Sequence, residues 1–347
     1  MKNKGILKIL FIIILIISLT SISLFYYKEQ NISLDNVLAY TENDPISFNY
    51  TSGFYTNDID IEITKSVELS SDVEIYYTLN GDDPTKANSL YDSPIHLSII
   101  DDETRVYPLK VILYVNGSYS KIYEEDYVLS TDDSYDLPII SITSDWSNLY
   151  DYQTGIMVDG VEYEEFGGVR NFHQRGEEWN RIGKVTIFEK GSGTSSFNIN
   201  LSISGKSGIR PLSLDIKCLD EKKIDIFSTS NEENLSINYK VNELIIRMGS
   251  QDINNGNIRM SLAYELSKES NYDGYAEEIR SIVFLNGKFY GLGTIAEKYN
   301  KSNISKKYSL DDENVEKYKG NSEVSTMESL DIGELFTSDL NIQKNRE

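Results

Sequence analysis

The sequence predicts a membrane-spanning helix, then an all-β antiparallel sandwich, then an α+β domain. Three observations predict this order. Lys2, Lys4 and Lys8 precede an uncharged, largely apolar run from Ile9 to Tyr27. From Ile46 onward, short alternating segments rich in Tyr and β-branched residues recur about every ten residues, the pattern of a sandwich. Beyond Pro138 the strands continue, but one segment with helical spacing interrupts them. The boundaries that follow are a signal anchor or signal peptide over 1–27, a polar tether over 28–44 and a sandwich over 45–130. An α+β domain covers 131–319, and a polar tail, expected to be disordered, covers 320–347.

The N-terminal run is close to the roughly 20 apolar residues that a helix needs to cross a bilayer. It is long for the core of a signal peptide, and "SLFYYKEQ" offers no small-x-small cleavage site after it. Lysines on its N-terminal side place the tail in the cytoplasm and the body outside, with Tyr26 and Tyr27 at the interface. An anchor in the cell membrane is therefore expected, with a cleaved signal peptide and a secreted body as the alternative. Either way the body is extracytoplasmic.

Charge narrows the partners. The chain has 55 acidic and 33 basic residues, a net charge of −22. Nucleic acid is excluded as a partner, because phosphate contacts need clustered Lys and Arg. Cys218 is the single cysteine, so a disulfide within the chain and a multi-cysteine zinc site are excluded. In "LDIKCL" it reads as a small buried hydrophobe.

The sandwich strands are "ISFNY", "DIDIEIT", "VEIYYTLN", "VYPLKVILYVNG" and "KIYEEDYVLS". Asn80-Gly81 forms a tight turn, and Asp82 and Asp83 read as turn chemistry rather than a cation site. "STDDSYDLP" links the halves. Strands follow at Lys184–Glu189, Phe197–Ser204, Leu212–Cys218 and Glu243–Arg247. "NGNIRMSLAYELSKE" is a helix with Ile258, Leu262 and Leu266 on one face and Asn254 or Asn255 as its cap. "EIRSIVFLNGKFYGLGTIAEK" is a hairpin around Asn286-Gly287.

The chemical motifs are few. "HQRGEEWNRIGKVTIFE" gathers His173, Arg175, Glu177, Glu178, Trp179 and Arg181 before a strand. His173 has no histidine near it, and His96 belongs to the sandwich, which argues against a metal site or a catalytic triad. "ISGKSG" is not a phosphate loop. Asn200 stands where the first glycine is needed, and a strand follows where a helix must.

Two resemblances add to this. "GFYTNDIDIEI", "IYYTLNGDDPT" and "SLYDSPIHL", within residues 53–129, resemble the C-terminal β-sandwich of chitobiase and β-hexosaminidase. That implies an immunoglobulin-like accessory domain with no catalytic residues. "PIISITSDWSNLYDYQTGIMV", "NFHQRGEEWNRIGKVTIFE", "LSISGKSGIRPLSLDIK", "LIIRMGSQD…IRMSLAYEL" and "VFLNGKFYGLGTIAEKYN", over 137–319, resemble the CotH family of spore-coat atypical kinases. This implies a kinase N-lobe-like fold. On it, Lys206, Arg247 and Glu297 fall at nucleotide-binding positions, and Arg175, Gly176, Trp179 and Arg259 at structural ones. Trp179 would be a packing anchor beside a salt-linked loop of Arg175, Glu177, Glu178 and Arg181. Leu212 stands where the family usually has Lys, with Lys206 or Lys217 as substitutes, and Met260 where it often has Asp. The resemblance also implies a second lobe that supplies the metal-binding carboxylates, and the expectation is that the residues after this segment are too few to form it. The expectation is a non-catalytic surface or coat protein that attaches to cell-wall glycan or to a surface protein, with no catalytic residue, metal or cofactor. One alternative is an atypical protein kinase using ATP and Mg²⁺, completed by a further lobe. The other is an accessory glycan-binding module.

Overall fold

A computed structural model describes residues 45–66, 72–131, 137–189, 193–205, 208–219, 243–270, 278–298, 300–311, 313 and 315. The first half contains β1 (Ile46–Phe48), β2 (Gly53–Tyr55), β3 (Ile59–Ile61), β4 (Ile63–Lys65), β5 (Glu74–Thr78), β6 (Ser89–Leu90), β7 (Ile95–Leu97), β8 (Arg105–Val115) and β9 (Ser118–Leu129). A five-stranded sheet in the order β2-β9-β8-β5-β6 packs against the pairs β1-β4 and β3-β7. Ile59, Ile61, Ile95 and Leu97 meet Ile75, Leu109, Val111 and Leu113 in its core. The strands fall where the alternation places them, but the sandwich is not wholly antiparallel as expected, because β2 pairs parallel to β9.

The second half differs from the expected α+β lobe. β10 (Ile139–Thr143), β11 (Arg181–Glu189), β12 (Gly193–Ile203), β13 (Leu214–Cys218), β14 (Glu243–Arg247), β15 (Glu278–Leu285) and β16 (Lys288–Glu297) form a closed barrel. Its order is β10-β11-β12-β13-β14-β16-β15, with a parallel β10–β15 pair as the seam between otherwise antiparallel neighbours. Closure removes the exposed edges that an open sheet would carry. Six of the strands contribute aliphatic residues at period two to one interior, among them Ile140 and Ile142, Val185 and Ile187, Leu244 and Ile246, and Val283 and Leu285, and β16 adds Ile295.

Helices are short: α1 (Trp146–Tyr150), α2 (Val161–Phe166), α3 (Arg259–Glu269) and α4 (Lys301–Tyr308). α3 is the helix that the spacing predicts, yet its apolar stripe faces outward. Ile258, Leu262 and Leu266 are 50%, 56% and 57% exposed, so the helix is not a layer of the core among the described residues. Its start is held by Asp252, whose Oδ2 accepts from the Arg259 N–H at 2.8 Å, while Asn254 and Asn255 lie in the preceding 3₁₀ turn. The expected membrane-spanning helix finds no support. No helix among the described residues is long and apolar enough to cross a bilayer, and residues 9–27 lie outside them. The tether and the polar tail also lie outside the described residues.

The two halves meet through β8 and β9. β8 and β9 send alternate residues to opposite sides. Leu109, Tyr127 and Leu129 enter the sandwich core, whereas Val106 and Val128 meet Ile139, Phe188, Ile282 and Phe284 on the outside of the barrel. Asp126 lies among these apolar groups, 2% exposed. It takes Lys184 Nζ at 3.1 Å and the hydroxyl of Thr186, and the Ser141 hydroxyl lies 3.5 Å away. Lys110 joins from β8, 2.7 Å from Asp83 and 3.5 Å from Glu124.

The Asn-Gly turns meet at the same seam. A β-carbon on Gly81 would lie 2.5 Å from the Asn286 amide oxygen, and one on Gly287 would lie 2.7 Å from the Val106 carbonyl oxygen. Both glycines have positive φ, 84° and 75°, as a tight turn needs. Asp82 and Asp83 serve this contact. The Trp146 N–H donates to Asp82 Oδ1 at 2.9 Å, and the Asp83 N–H donates to Asp145 Oδ2 at 3.3 Å.

Replacing Asp126 by Ala leaves Lys184 largely buried with a weaker partner, Glu124 at 3.8 Å. Removal of one member of a buried pair costs about 3–5 kcal/mol. Chemical denaturation of Asp126→Ala is expected to show a loss near the low end of that range, with Asp126→Asn milder because it retains hydrogen-bonding capacity.

Candidate functional site

Outward-facing residues on β12, β13 and β14 floor a groove with a cavity volume of about 310 Å³. Strand register sets the floor. Asn200 lies opposite Lys217, Lys217 opposite Glu243, and Ser202 opposite Asp215. Their odd-even partners, Leu201, Leu214, Ile216 and Leu244, fill the barrel. One wall is the segment from Gln174 to Asn180; the other is Lys298, just beyond β16.

Trp179 dominates the first wall. It ends a 3₁₀ turn, Glu177–Trp179, and packs against the barrel core while lining the groove. Arg181 fixes it from behind. The guanidinium carbon lies 5.3 Å from the indole centroid, and Nη1 donates to the carbonyls of Glu178 and Asn180, both at 2.9 Å. Nε reaches the Thr154 carbonyl at 3.2 Å. Burial lowers the Arg181 pKa from its ordinary value. Gly176, with φ of 115°, turns the chain into this wall at an angle that few other residues adopt. Arg175 donates to the carbonyls of Phe172, Gln174 and Gly205. The expected salt-linked loop is therefore a set of guanidinium–carbonyl bonds. Among the described residues no ion pair joins Arg175 or Arg181 to Glu177 or Glu178.

The second wall is ionic. Lys298 Nζ stands 3.2 Å from Asp215 Oδ2 and 3.4 Å from Glu243 Oε2. Asn300 donates to the same Glu243 oxygen at 2.8 Å.

The structure brings Arg175, Gly176, Trp179 and Lys217 to one groove and leaves the other candidates elsewhere. Lys206 lies outside the described residues. Arg247 is on the outer face of β14, its Nη1 3.8 Å from Glu278 Oε2. Glu297 pairs with Leu244 in register, three residues along from Arg247, so the two point to opposite faces of the sheet. Glu297 is 4% exposed. Arg259 pairs with Asp252, Nε to Oδ1 at 3.1 Å. Leu212, at the expected Lys position, is buried in the barrel core. Met260 is exposed on α3, and Cys218 packs partly buried against the barrel core. His173 stacks edge-on against Phe172 at 4.5 Å, while His96 pairs with Asp60 on the sandwich at 2.8 Å. The floor residues Asn200, Ser202, Asp215 and Glu243 escaped sequence reasoning. Polar outward positions on a strand look alike until the register shows which of them meet.

Residues 50–107 match the family model of the chitobiase/beta-hexosaminidase C-terminal domain. No curated protein matches the chain. The chitobiase-type match covers β2 to β7 and the start of β8. It lies wholly within the sandwich, and the resemblance of 137–319 to CotH is not shown.

Away from the groove, Glu278 beneath α3 titrates abnormally. Burial raises its pKa, against the lowering effects of Ser261 and Arg247, and Glu265 adds to the rise. A carboxyl raised in the folded state favours folding below its unfolded pKa, and that contribution is lost as pH rises through the folded value. Glu278→Gln removes this loss. Its urea midpoint relative to wild type is expected to increase as pH is raised from below the ordinary carboxylate range through the raised pKa of Glu278.

Proposed function

We propose that the chain is a non-catalytic saccharide-binding protein and that the Trp179 groove is its binding site. One observation carries the reading: a half-buried indole stands over a floor of Asn, Ser, Asp, Lys and Glu side chains set by strand register. Sugar hydroxyls both donate and accept, so they suit a floor that mixes amides, hydroxyls, carboxylates and an ammonium group. The C–H face of a sugar ring packs on an aromatic face whose own position is fixed, and a concave site with few convergent polar groups supplies the orientation. The chitobiase-type match in the sandwich supports the same reading, as an accessory domain in a glycan-directed protein. The basic-then-apolar N-terminal sequence fits work outside the cytoplasm, where such glycans are found. The kinase reading has less support, because Arg247 and Glu297 do not converge on one site.

Trp146 and Trp179 are the two tryptophans. In Trp146→Phe protein, emission therefore reports Trp179 alone. Titration with a panel of soluble cell-wall oligosaccharides, neutral and acidic, is expected to shift that emission saturably. Calorimetry of Trp179→Ala is expected to show a loss of about 2 kcal/mol, roughly thirtyfold in affinity. Absence of binding by wild type across the whole panel would overturn the proposal.

A further inference from the structure

The seam between sandwich and barrel brings an amine and a carboxyl group together out of water. Lys184 Nζ on β11 stands 3.1 Å from Asp126 Oδ2 on β9, and the two side chains are 11% and 3% exposed. The apolar residues around them include Val106, Val128, Ile139, Phe188 and Phe284. A second lysine–aspartate contact at the same seam differs in this respect. Lys110 Nζ is 2.7 Å from Asp83, but the Asp83 side chain is 52% exposed, so water competes for that carboxylate.

Three neighbours complete the buried arrangement. The Thr186 hydroxyl donates to Asp126 Oδ2, and the Ser141 hydroxyl lies 3.5 Å from Oδ1. Glu124 is two positions from Asp126 along β9 and therefore on the same face. Its Oε2 is 3.8 Å from Lys184 Nζ. Strand backbones carry every one of these groups, so the amine and the carboxyl are held in contact with little freedom left to lose.

We propose that Lys184 and Asp126 condense to an isopeptide bond that ties the barrel covalently to the sandwich. Passing one proton from the ammonium to the carboxylate leaves a neutral amine beside a neutral acid, the two forms that react. Nζ then attacks Cγ of Asp126. The Thr186 hydroxyl supports the charge that develops on Oδ2, which remains as the amide oxygen. Glu124 takes a proton from the nitrogen and delivers it to Oδ1, which leaves as water. The ammonium starts with three protons; the amide keeps one and the water carries two, so no oxidant, cofactor or further reactant enters. The surrounding apolar side chains exclude the water that hydrolysis needs. With a single cysteine the chain has no disulfide of its own to clamp the two halves, and this bond does that work. The loss given above for Asp126→Ala is that of the unlinked pair; a linked protein loses more, because a cross-link also constrains the unfolded chain.

Mass spectrometry of the purified full chain, unfolded and digested with trypsin after prolonged incubation in the folded state, is the test. Wild type is expected to yield a branched peptide in which residues 122–170 are joined to residues 182–190, lighter than the two together by one water and uncut after Lys184. Asp126→Ala and Lys184→Arg are each expected to yield the two segments unjoined. In Glu124→Gln the branched peptide is expected to accumulate about a hundredfold more slowly. Wild type that gives only unjoined segments, with cleavage after Lys184, overturns the proposal, and that result does not depend on whether any variant folds. A branched peptide that persists in Lys184→Arg overturns the assignment of the bond to this pair. Equal rates in wild type and Glu124→Gln overturn the role given to Glu124.

Discussion

The contact between Asp126 and Lys184 is the constraint on which the rest of the structure depends. It forms where the five-stranded sheet of the sandwich meets the wall of the barrel, inside a ring of Val106, Val128, Phe188 and Phe284. Two ions withdrawn from water need each other and further hydrogen bonds, and the Thr186 hydroxyl supplies one. The apolar ring excludes water, and the ion pair fixes how the two surfaces register. Because β10, β11 and β15 all present outward residues here, the seam of the barrel is also the surface that carries the sandwich.

Much of this was legible in the residues. The sandwich strands, the Asn286-Gly287 hairpin and the C-terminal end of α3 follow from alternation, turn chemistry and helical spacing, whereas the start and cap of α3 do not. The barrel was not legible. Closure depends on Ile139 pairing with Ile282 across more than a hundred residues, and periodicity states that a strand has two faces without naming its neighbours. β10 is buried on both sides, Ile140 and Ile142 inward and Ile139 toward the sandwich, and such a run is ambiguous until both layers are known. The α3 stripe shows the reverse case: Leu262 and Leu266 have the right spacing for burial but lie in the open. Nothing local in the sequence marks Asp126 and Lys184 as a buried pair, since a buried ion and an exposed one look alike there.

The groove follows from the same alternation that fills the barrel. Each interior aliphatic residue on β12, β13 and β14 is flanked in sequence by an outward polar residue, and register gathers those into one floor. The stretch from His173 to Arg181 drew attention for its density of charge. Its role in the structure is architectural, because guanidinium groups bonded to carbonyls hold Trp179 as a wall. The two arginines that sequence reading assigned to ion pairs instead donate to backbone carbonyls, and Arg181 also stacks on Trp179.

The paired Asn-Gly turns bear on how the molecule can be inherited and rearranged. The acidic link between the halves looks like a joint at which domains might be exchanged, and the chitobiase-type match ends at residue 107, before most of the β8–β9 surface that touches the barrel. Yet Gly81 sits against Asn286, and Gly287 against Val106 and Pro108, with no room for a side chain at either glycine. Two loops from distant parts of the chain therefore fit each other closely at both glycines. The sandwich in this protein is less a detachable module than a mounted one, with a fixed bearing relative to the groove. A force applied to either half would therefore reach the other through the glycine turns and the Asp126–Lys184 pair as well as through the chain that links them.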